Sequence, residues 1–291
     1  MSTNQNVFVT GTSSGFGRLI AATLAQGGHT VVATMRDPGG RNTDVAGQLA
    51  AIGDHLHVLS CDVTDEASVD QAVARAEDLT GGLDVVINNA GLGAGGHAES
   101  FTVDQMQQMF DVNLLGVHRV NRAVLPAMRA RGSGLLVNIS SVMGRLVIPW
   151  AAAYTATKWA LEGLTESLRI ELNGTGVEVV NIEPGGFLTG FGNRMVRAAD
   201  TERAASYGDL GDAPQKLWEG MMASLESRGP DPQMVADAVR EVVKMPAGER
   251  PFRVVVDPFT GGETAEAINR ASAEVQLQLA RMMAGEGAAE G

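Results

Sequence analysis

Short apolar runs recur along the first two-thirds of the chain, and segments with helical spacing separate them. Val7–Thr10, Thr30–Met35, His57–Cys61, Leu83–Asn88, Leu135–Ile139 and Val177–Ile182 read as strands. Gly17–Gln26, Val45–Ala51, Ser68–Leu79, Ala152–Leu172 and a long stretch from Val103 to Arg131, as one or two helices, read as helical. In Ser68–Leu79 the residues Val69, Ala72, Val73, Ala76 and Leu79 fall on one face. The strand runs VFVT, TVVATM, LDVVIN and GLLVNIS are apolar at consecutive positions. A strand with one wet face would alternate instead, so helices are expected on both sides of the sheet.

Strands alternating with helices of this length imply parallel βαβ units. The expected class is therefore α/β: a three-layer Rossmann fold with a doubly wound, mostly parallel sheet of about seven strands and helices on both faces. No linker or repeat interrupts the chain, and residues 1–291 are expected to form one domain. The pattern changes after Ile182. Residues 185–228 are rich in Gly, Met and polar residues with weak periodicity, and 190–230 are expected to form a lid over a substrate site. A helix over Pro232–Lys244, a strand over Arg253–Val256 and a last helix over 263–284 follow. Ile268, Val275, Leu279 and Met282 make one stripe on that helix, expected to pack on the domain or inside a homo-oligomer. Residues 285–291 are expected to be disordered.

A net charge of −12 argues against nucleic acid as a partner, because phosphate binding needs a basic face. The single cysteine, Cys61, ends an apolar run and reads as a buried thiol rather than a nucleophile. No apolar stretch reaches the ~18 residues that span a membrane. The N-terminus shows no signal pattern, and a soluble cytoplasmic protein is expected.

The chemistry starts at Thr10-Gly11-Thr12-Ser13-Ser14-Gly15-Phe16-Gly17, between the first strand and first helix. Glycine is needed where the backbone turns with positive φ, approaches a pyrophosphate, or lets a helix pack close to a strand. Free amides at the helix start then bind phosphate. At the end of the second strand an NAD site places an acid for the ribose hydroxyls. Met35 stands there instead, and Arg36 follows, a guanidinium able to grip a 2′-phosphate. NADP(H) is the expected cofactor. Arg18 could add to the positive field, and Asp37 could pair with Arg36.

Tyr154 and Lys158 are four apart on the long helix, hence on one face. A cation at ~4 Å could favour the phenolate by up to ~3 pKa units before desolvation. Ser141 lies thirteen residues before Tyr154, with Ser140 as its rival.

The loop TGTSSGFG, with Gly11, Gly15 and Gly17, resembles the cofactor loop of the short-chain dehydrogenase/reductase family. The resemblance covers roughly residues 5–190, with every motif in order. It implies a nicotinamide cofactor contacted by Gly11, Thr12, Ser13, Ser14, Gly15, Phe16, Gly17 and, through Asp62-Val63, at its adenine. Asn89-Ala90-Gly91 resembles the end of the family's NNAG motif, and Pro184-Gly185-Gly186-Phe187-Leu188-Thr189 its nicotinamide-holding segment. The family's catalytic set maps onto Asn113, Ser141, Tyr154 and Lys158. Ser141-x-x-Gly144 favours Ser141 over Ser140, and Asn113 would hold a water that links the lysine to solvent. The implied reaction is hydride transfer between nicotinamide and a carbonyl or alcohol carbon, with Tyr154 exchanging the proton. TVVATMRDP resembles NADP-preferring members that act on steroids, retinoids and bulky ketones. A small hydrophobic ketone, aldehyde or secondary alcohol is expected, touched by Ser141, Met143, Tyr154, Gly186, Met195 and Trp218. A homodimer or homotetramer is expected. An epimerase on the same fold and a non-catalytic NADP(H) sensor are the alternatives.

Overall fold

The computed structural model describes residues 4–283. The chain runs β1 (Asn6–Thr10), α1 (Gly15–Gln26), β2 (Thr30–Met35), α2 (Thr43–Ala50), β3 (Leu56–Ser60), α3 (Glu66–Thr80), β4 (Val85–Asn88) and a short β5 (Ala94–Gly95). It continues through α4 (Val103–Phe110), α5 (Gly116–Arg131), β6 (Gly134–Ile139), α6 (Ala152–Glu171) and β7 (Val177–Pro184). After these come β8 (Val196–Arg197), α7 (Thr201–Ser206), α8 (Ala213–Arg228), α9 (Gln233–Lys244), β9 (Arg253–Val256) and α10 (Glu263–Met283).

Seven strands form one parallel sheet in the order β3-β2-β1-β4-β6-β7-β9. The expected doubly wound Rossmann fold is what the chain adopts. The consecutive apolar positions are explained by two cores. Val7, Val9, Val31, Ala33, Val85 and Ile87 pack on one side, against Ile20 and Leu24 of α1 and Val235 and Val239 of α9. Phe8, Val32, Val86 and Leu136 pack on the other, against α3 and α5. The strand order reverses between β1 and β4, and such switch points open a crevice at the strands' carboxyl ends.

The long pattern from Val103 to Arg131 is two helices joined by a π-helical turn over Asp111–Leu115. Asn113, a poor helix former, sits in that turn. Residues 185–228 hold more structure than their periodicity suggested. α8 buries only Leu225 and α7 buries nothing, so neither needed an apolar stripe. The segment is anchored instead by polar and aromatic contacts. β8 pairs with β5, and Gln105 bridges Arg197 O and the Ala199 amide at 2.8 and 3.0 Å. His97 stacks on Tyr207 with ring centroids 3.9 Å apart.

The stripe on α10 does not pack on its own domain. Val275, Leu279 and Met282 are 60%, 46% and 69% exposed, and Ala265 is the helix's one buried residue. The expectation for residues 285–291 lies outside the described residues. Among the described residues no helix is long and apolar enough to cross a membrane.

Candidate active site

A cleft of about 600 Å³ follows the carboxyl ends of β1, β2, β4, β6 and β7. The glycine loop forms its floor. Gly11 has φ +71°, and a Cβ there would lie 2.7 Å from Ala90 Cα, so the loop presses against the Asn89–Gly91 segment. Ser13, Ser14, Gly15 and Phe16 line the cleft. Ser14 N-caps α1 without a side-chain hydrogen bond, which leaves first-turn amides available to a ligand.

Two expected loop contacts turn elsewhere. Thr12 is fully buried, and its amide and hydroxyl donate to Thr34 O at 3.0 and 3.1 Å, which ties the loop to β2. A Cβ on Gly17 would sit 2.3 Å from Asn89 Nδ2 and 2.5 Å from Gly11 O, so Gly17 permits helix–loop packing rather than ligand approach. Gly17→Ala is expected to cost about 1–3 kcal/mol, read as a lowered Tm, because the clash with Gly11 is backbone.

At the end of β2, Arg36, Arg41 and Asn42 line the cleft. Asp37 does not pair with Arg36. Its carboxylate accepts the Arg41 amide at 3.0 Å and shapes the following turn. Among the described residues neither Arg36 nor Arg41 makes an ion pair. Arg18 donates to Gln48 at 2.7 Å and stays out of the cleft lining. Asp62 and Val63 do line it. Burial works against the Asp62 charge, but hydrogen bonds from Thr64 and the nearby Arg36 and Arg41 hold its carboxyl below the usual range. Burial pushes the Cys61 thiol up to about 11, which makes it an inert part of the wall.

The asparagines at the carboxyl end of β4 act as stitches. Asn88 Nδ2 bonds Asn121 and Asn138 at 3.0 and 2.9 Å, and Asn89 Nδ2 bonds Thr10 O and Gly11 O at 2.9 and 3.1 Å. Asn113 is buried and fully occupied. Its Oδ1 accepts the Leu92 amide at 2.7 Å, and its Nδ2 donates to Leu92 O and Thr157 Oγ1 at 2.9 Å each. It therefore braces α6 and the 90s loop.

The far end of the cleft is built by β6, α6 and β7. Ser141 accepts the Met143 amide at 3.1 Å and donates to Pro184 O at 3.4 Å. Ser140 lines the cleft too, so strand alternation does not remove it, but its hydroxyl has no partner among the described residues. Lys158 donates to Ile139 O at 2.8 Å and lies 5.7 Å from the Tyr154 ring centroid.

Burial outweighs the pull on the tyrosine that the sequence assigned to Lys158. Tyr154 is only partly covered as a residue, yet the surroundings of its hydroxyl are dense enough that burial pushes it up to about 12, with Ser141 pulling the other way. Burial brings Lys158 down to about 8, and Glu162 opposes the fall. Dense protein penalises phenolate and ammonium alike, and the ammonium is aimed at a carbonyl rather than the phenol.

Gly185 lines the cleft, and a Cβ there would lie 2.0 Å from Asp257 Oδ1. Phe187 meets Phe16 edge-on at 5.5 Å, and Thr189 faces Gly15 across the floor. Four expected substrate contacts are not in the lining: Met143, Gly186, Met195 and Trp218. Gly186 packs on Leu225 and Phe259, Met195 backs Gly93 and Gly95, and Trp218 lies over Gly192. Phe191 and Arg194 take their place, Phe191 meeting Tyr154 edge-on at 5.9 Å. Both fall within the 190–230 segment expected over the site, but the sequence reading did not name them as contacts, and it missed Arg41. A cation just beyond the Pro38-Gly39-Gly40 turn was the available signal for Arg41, whereas nothing in the spacing marks Phe191 or Arg194.

The family model for short chain dehydrogenase matches residues 5–200. The chain belongs to the short-chain dehydrogenase family. This short-chain dehydrogenase is 35% identical over 257 residues to a 3-ketodihydrosphingosine reductase of Bacteroides thetaiotaomicron, covering 88% of each chain. It is 34% identical over 277 residues to Homo sapiens retinol dehydrogenase 8, covering 90% of this chain and 86% of the other. A short-chain dehydrogenase structure from Streptomyces avermitilis superposes with TM-score 0.76 at 31% identity, over 99% of this chain and 100% of that one. A Burkholderia phymatum structure in complex with NAD gives 0.76 at 25% identity, over 96% of each chain. An actinorhodin polyketide ketoreductase structure with NADPH gives 0.73 at 29%, over 90% and 98%. The chain is thus an oxidoreductase of the dehydrogenase/reductase kind. The family match stops at residue 200, before α7 and α8.

Proposed function

We propose that this short-chain dehydrogenase uses NADPH to reduce hydrophobic ketones or aldehydes to alcohols, with Tyr154 as the proton donor. The observation that carries the reading is one continuous cleft with Arg36 and Arg41, which make no ion pair among the described residues, at one end and Ser141, Tyr154 and Lys158 at the other. The glycine floor fits a dinucleotide, since Gly11 and Gly15 are held at positive φ beside open α1 amides. Bound NADPH supplies the hydride. Ser141 and Tyr154 bind the carbonyl oxygen, and the phenol, kept protonated by burial, delivers its proton there. Lys158 provides positive charge beside them. Asn89, Ala90, Gly91, Asp62, Val63, Pro184, Gly185, Phe187 and Thr189 position the cofactor. Asn113 braces the frame and would help hold a water that links Lys158 to solvent. Leu92, Phe187 and Phe191 make the wall apolar, in keeping with relatives named for retinol and 3-ketodihydrosphingosine. The exposed stripe on α10 supports a homodimer or homotetramer, which light scattering would test.

The test is initial-rate reduction of retinal, 3-ketodihydrosphingosine and an aromatic ketone with NADPH and NADH. Turnover with NADPH on at least one is expected; no consumption of either nucleotide would overturn the reading. The pH profile should carry the Lys158 signature. Its folded pKa is depressed to about 8, so the ammonium is present below that pH and lost above it. Reduction is expected to be level below about pH 7 and to fall about tenfold per unit above about pH 8. A profile flat until the tyrosine ionises would show that the lysine charge is not needed.

A further inference from the structure

One turn beyond Lys158 on α6, Glu162 points into the protein and is 2% exposed. It meets Glu183 of β7, which is fully buried, and Arg253 of β9. Arg253 Nε lies 2.9 Å from Glu162 Oε2 and 3.4 Å from Glu183 Oε1, while its Nη2 lies 3.0 Å from Glu166 Oε2. Arg145, from the turn after β6, adds its charge to the same group, and Asn269 of α10 donates to Glu183 Oε2 at 2.7 Å. Three carboxylates thus face two guanidiniums in the interior, one negative charge too many for a buried site. Glu162 Oε1 and Glu183 Oε1 have no hydrogen-bond partner among the described residues.

The cluster abuts the active-site corner. A Cβ on Gly144 would lie 2.9 Å from Glu162 Cγ, 3.1 Å from Ser140 Oγ and 3.2 Å from Lys158 O, so glycine lets the Glu162 stem pack directly under both elements. We propose that Glu162, clamped together with Glu183 by Arg253 behind Lys158, keeps the lysine in its ammonium form, while Glu183 carries the cluster's proton. Glu162 is then a positioning residue that acts through Lys158. Burial and the adjacent Glu162 both push the Glu183 carboxyl up, to about 7. The importance of this device for carbonyl reduction rests on the proposed function; the lysine titration itself does not.

The chain has three lysines, so trace acetylation by acetic anhydride across pH, read by mass spectrometry, follows Lys158 with Lys216 and Lys244 as internal references. In Glu162→Gln the Lys158 midpoint is expected to fall by about one pH unit, raising its labelling at pH 7 about fivefold. Glu162→Asp, which keeps the charge, should restore most of it. An unchanged midpoint in Glu162→Gln would overturn the proposal. Glu183 supplies an independent arm. Its folded pKa is raised, so its contribution to stability is present at low pH and lost as pH rises through about 7. Glu183→Gln should remove that loss, so its Tm relative to wild type climbs between about pH 5 and 8. A parallel pair of Tm curves would show that no proton is held there. If the Lys158 midpoint moves but the alkaline limb of reduction does not follow, the device stands and the assignment of Lys158 to the reaction fails.

Discussion

Tyr154→Phe is expected to lower kcat for NADPH-dependent carbonyl reduction by about 10²–10⁴-fold, the usual contribution of a positioned proton donor. The substitution removes one oxygen and leaves the ring. The edge-on contact with Phe191 and the packing of α6 therefore survive, and Tm should change little. NADPH affinity should stay within a few-fold, because the proposed phosphate contacts lie at the other end of the cleft. Ser141 is not expected to take over the proton, since an aliphatic hydroxyl is a far weaker acid than a phenol. The diagnostic pattern is a collapse of kcat with the cofactor Kd preserved, measured by steady-state kinetics and by quenching of NADPH fluorescence. Substantial residual kcat would place the proton elsewhere.

The double variant Arg36→Ala/Arg41→Ala is expected to show the second largest effect. Each charge-assisted bond to a phosphate contributes about 1.5–3 kcal/mol, less where solvent reaches it. Loss of both should weaken NADPH by roughly 30- to 1000-fold, that is about 2–4 kcal/mol. NADH, which lacks the 2′-phosphate, should be nearly unaffected. Met35 closes the strand without an acid, so nothing in the wild type is positioned to prefer the NADH ribose. Titration calorimetry with both nucleotides decides the matter. Equal losses for the two would mean that the arginines serve the adenine or the fold rather than a 2′-phosphate.

The layered sheet was legible in the sequence because each strand packs on both faces. Phe8 and its neighbours Val7 and Val9 enter opposite cores, which forces the unbroken apolar run. The Tyr154–Lys158 pair was legible because helical spacing alone puts two such residues side by side. The balance of forces around them was not. Burial is set by the whole fold, and it reversed the tyrosine shift that pairwise Coulomb reasoning suggested. Thr12 and Gly17 lie in a true cofactor-loop pattern, yet pack inwards, since the pattern records what the loop needs to fold as well as what it binds. The segment after residue 190 was least legible. α8 is held by Leu225 and by contacts to distant loops, so no stripe announces it, and the choice of Phe191 and Arg194 over Met195 and Trp218 depends on a turn at residues 192–194. Glu162, Glu183 and Arg253 come from three elements and meet only in the folded chain.

The most direct test of the central claim is the fate of the hydride. Single-turnover reduction of a hydrophobic ketone or aldehyde from the active panel, with NADPH carrying deuterium on the transferable C4 position, should place the label on the carbinol carbon of the product. Mass spectrometry should show one deuterium there in wild type and product formation nearly abolished in Tyr154→Phe. Alcohol product without the label, or label delivered equally well by the Phe variant, would contradict the account.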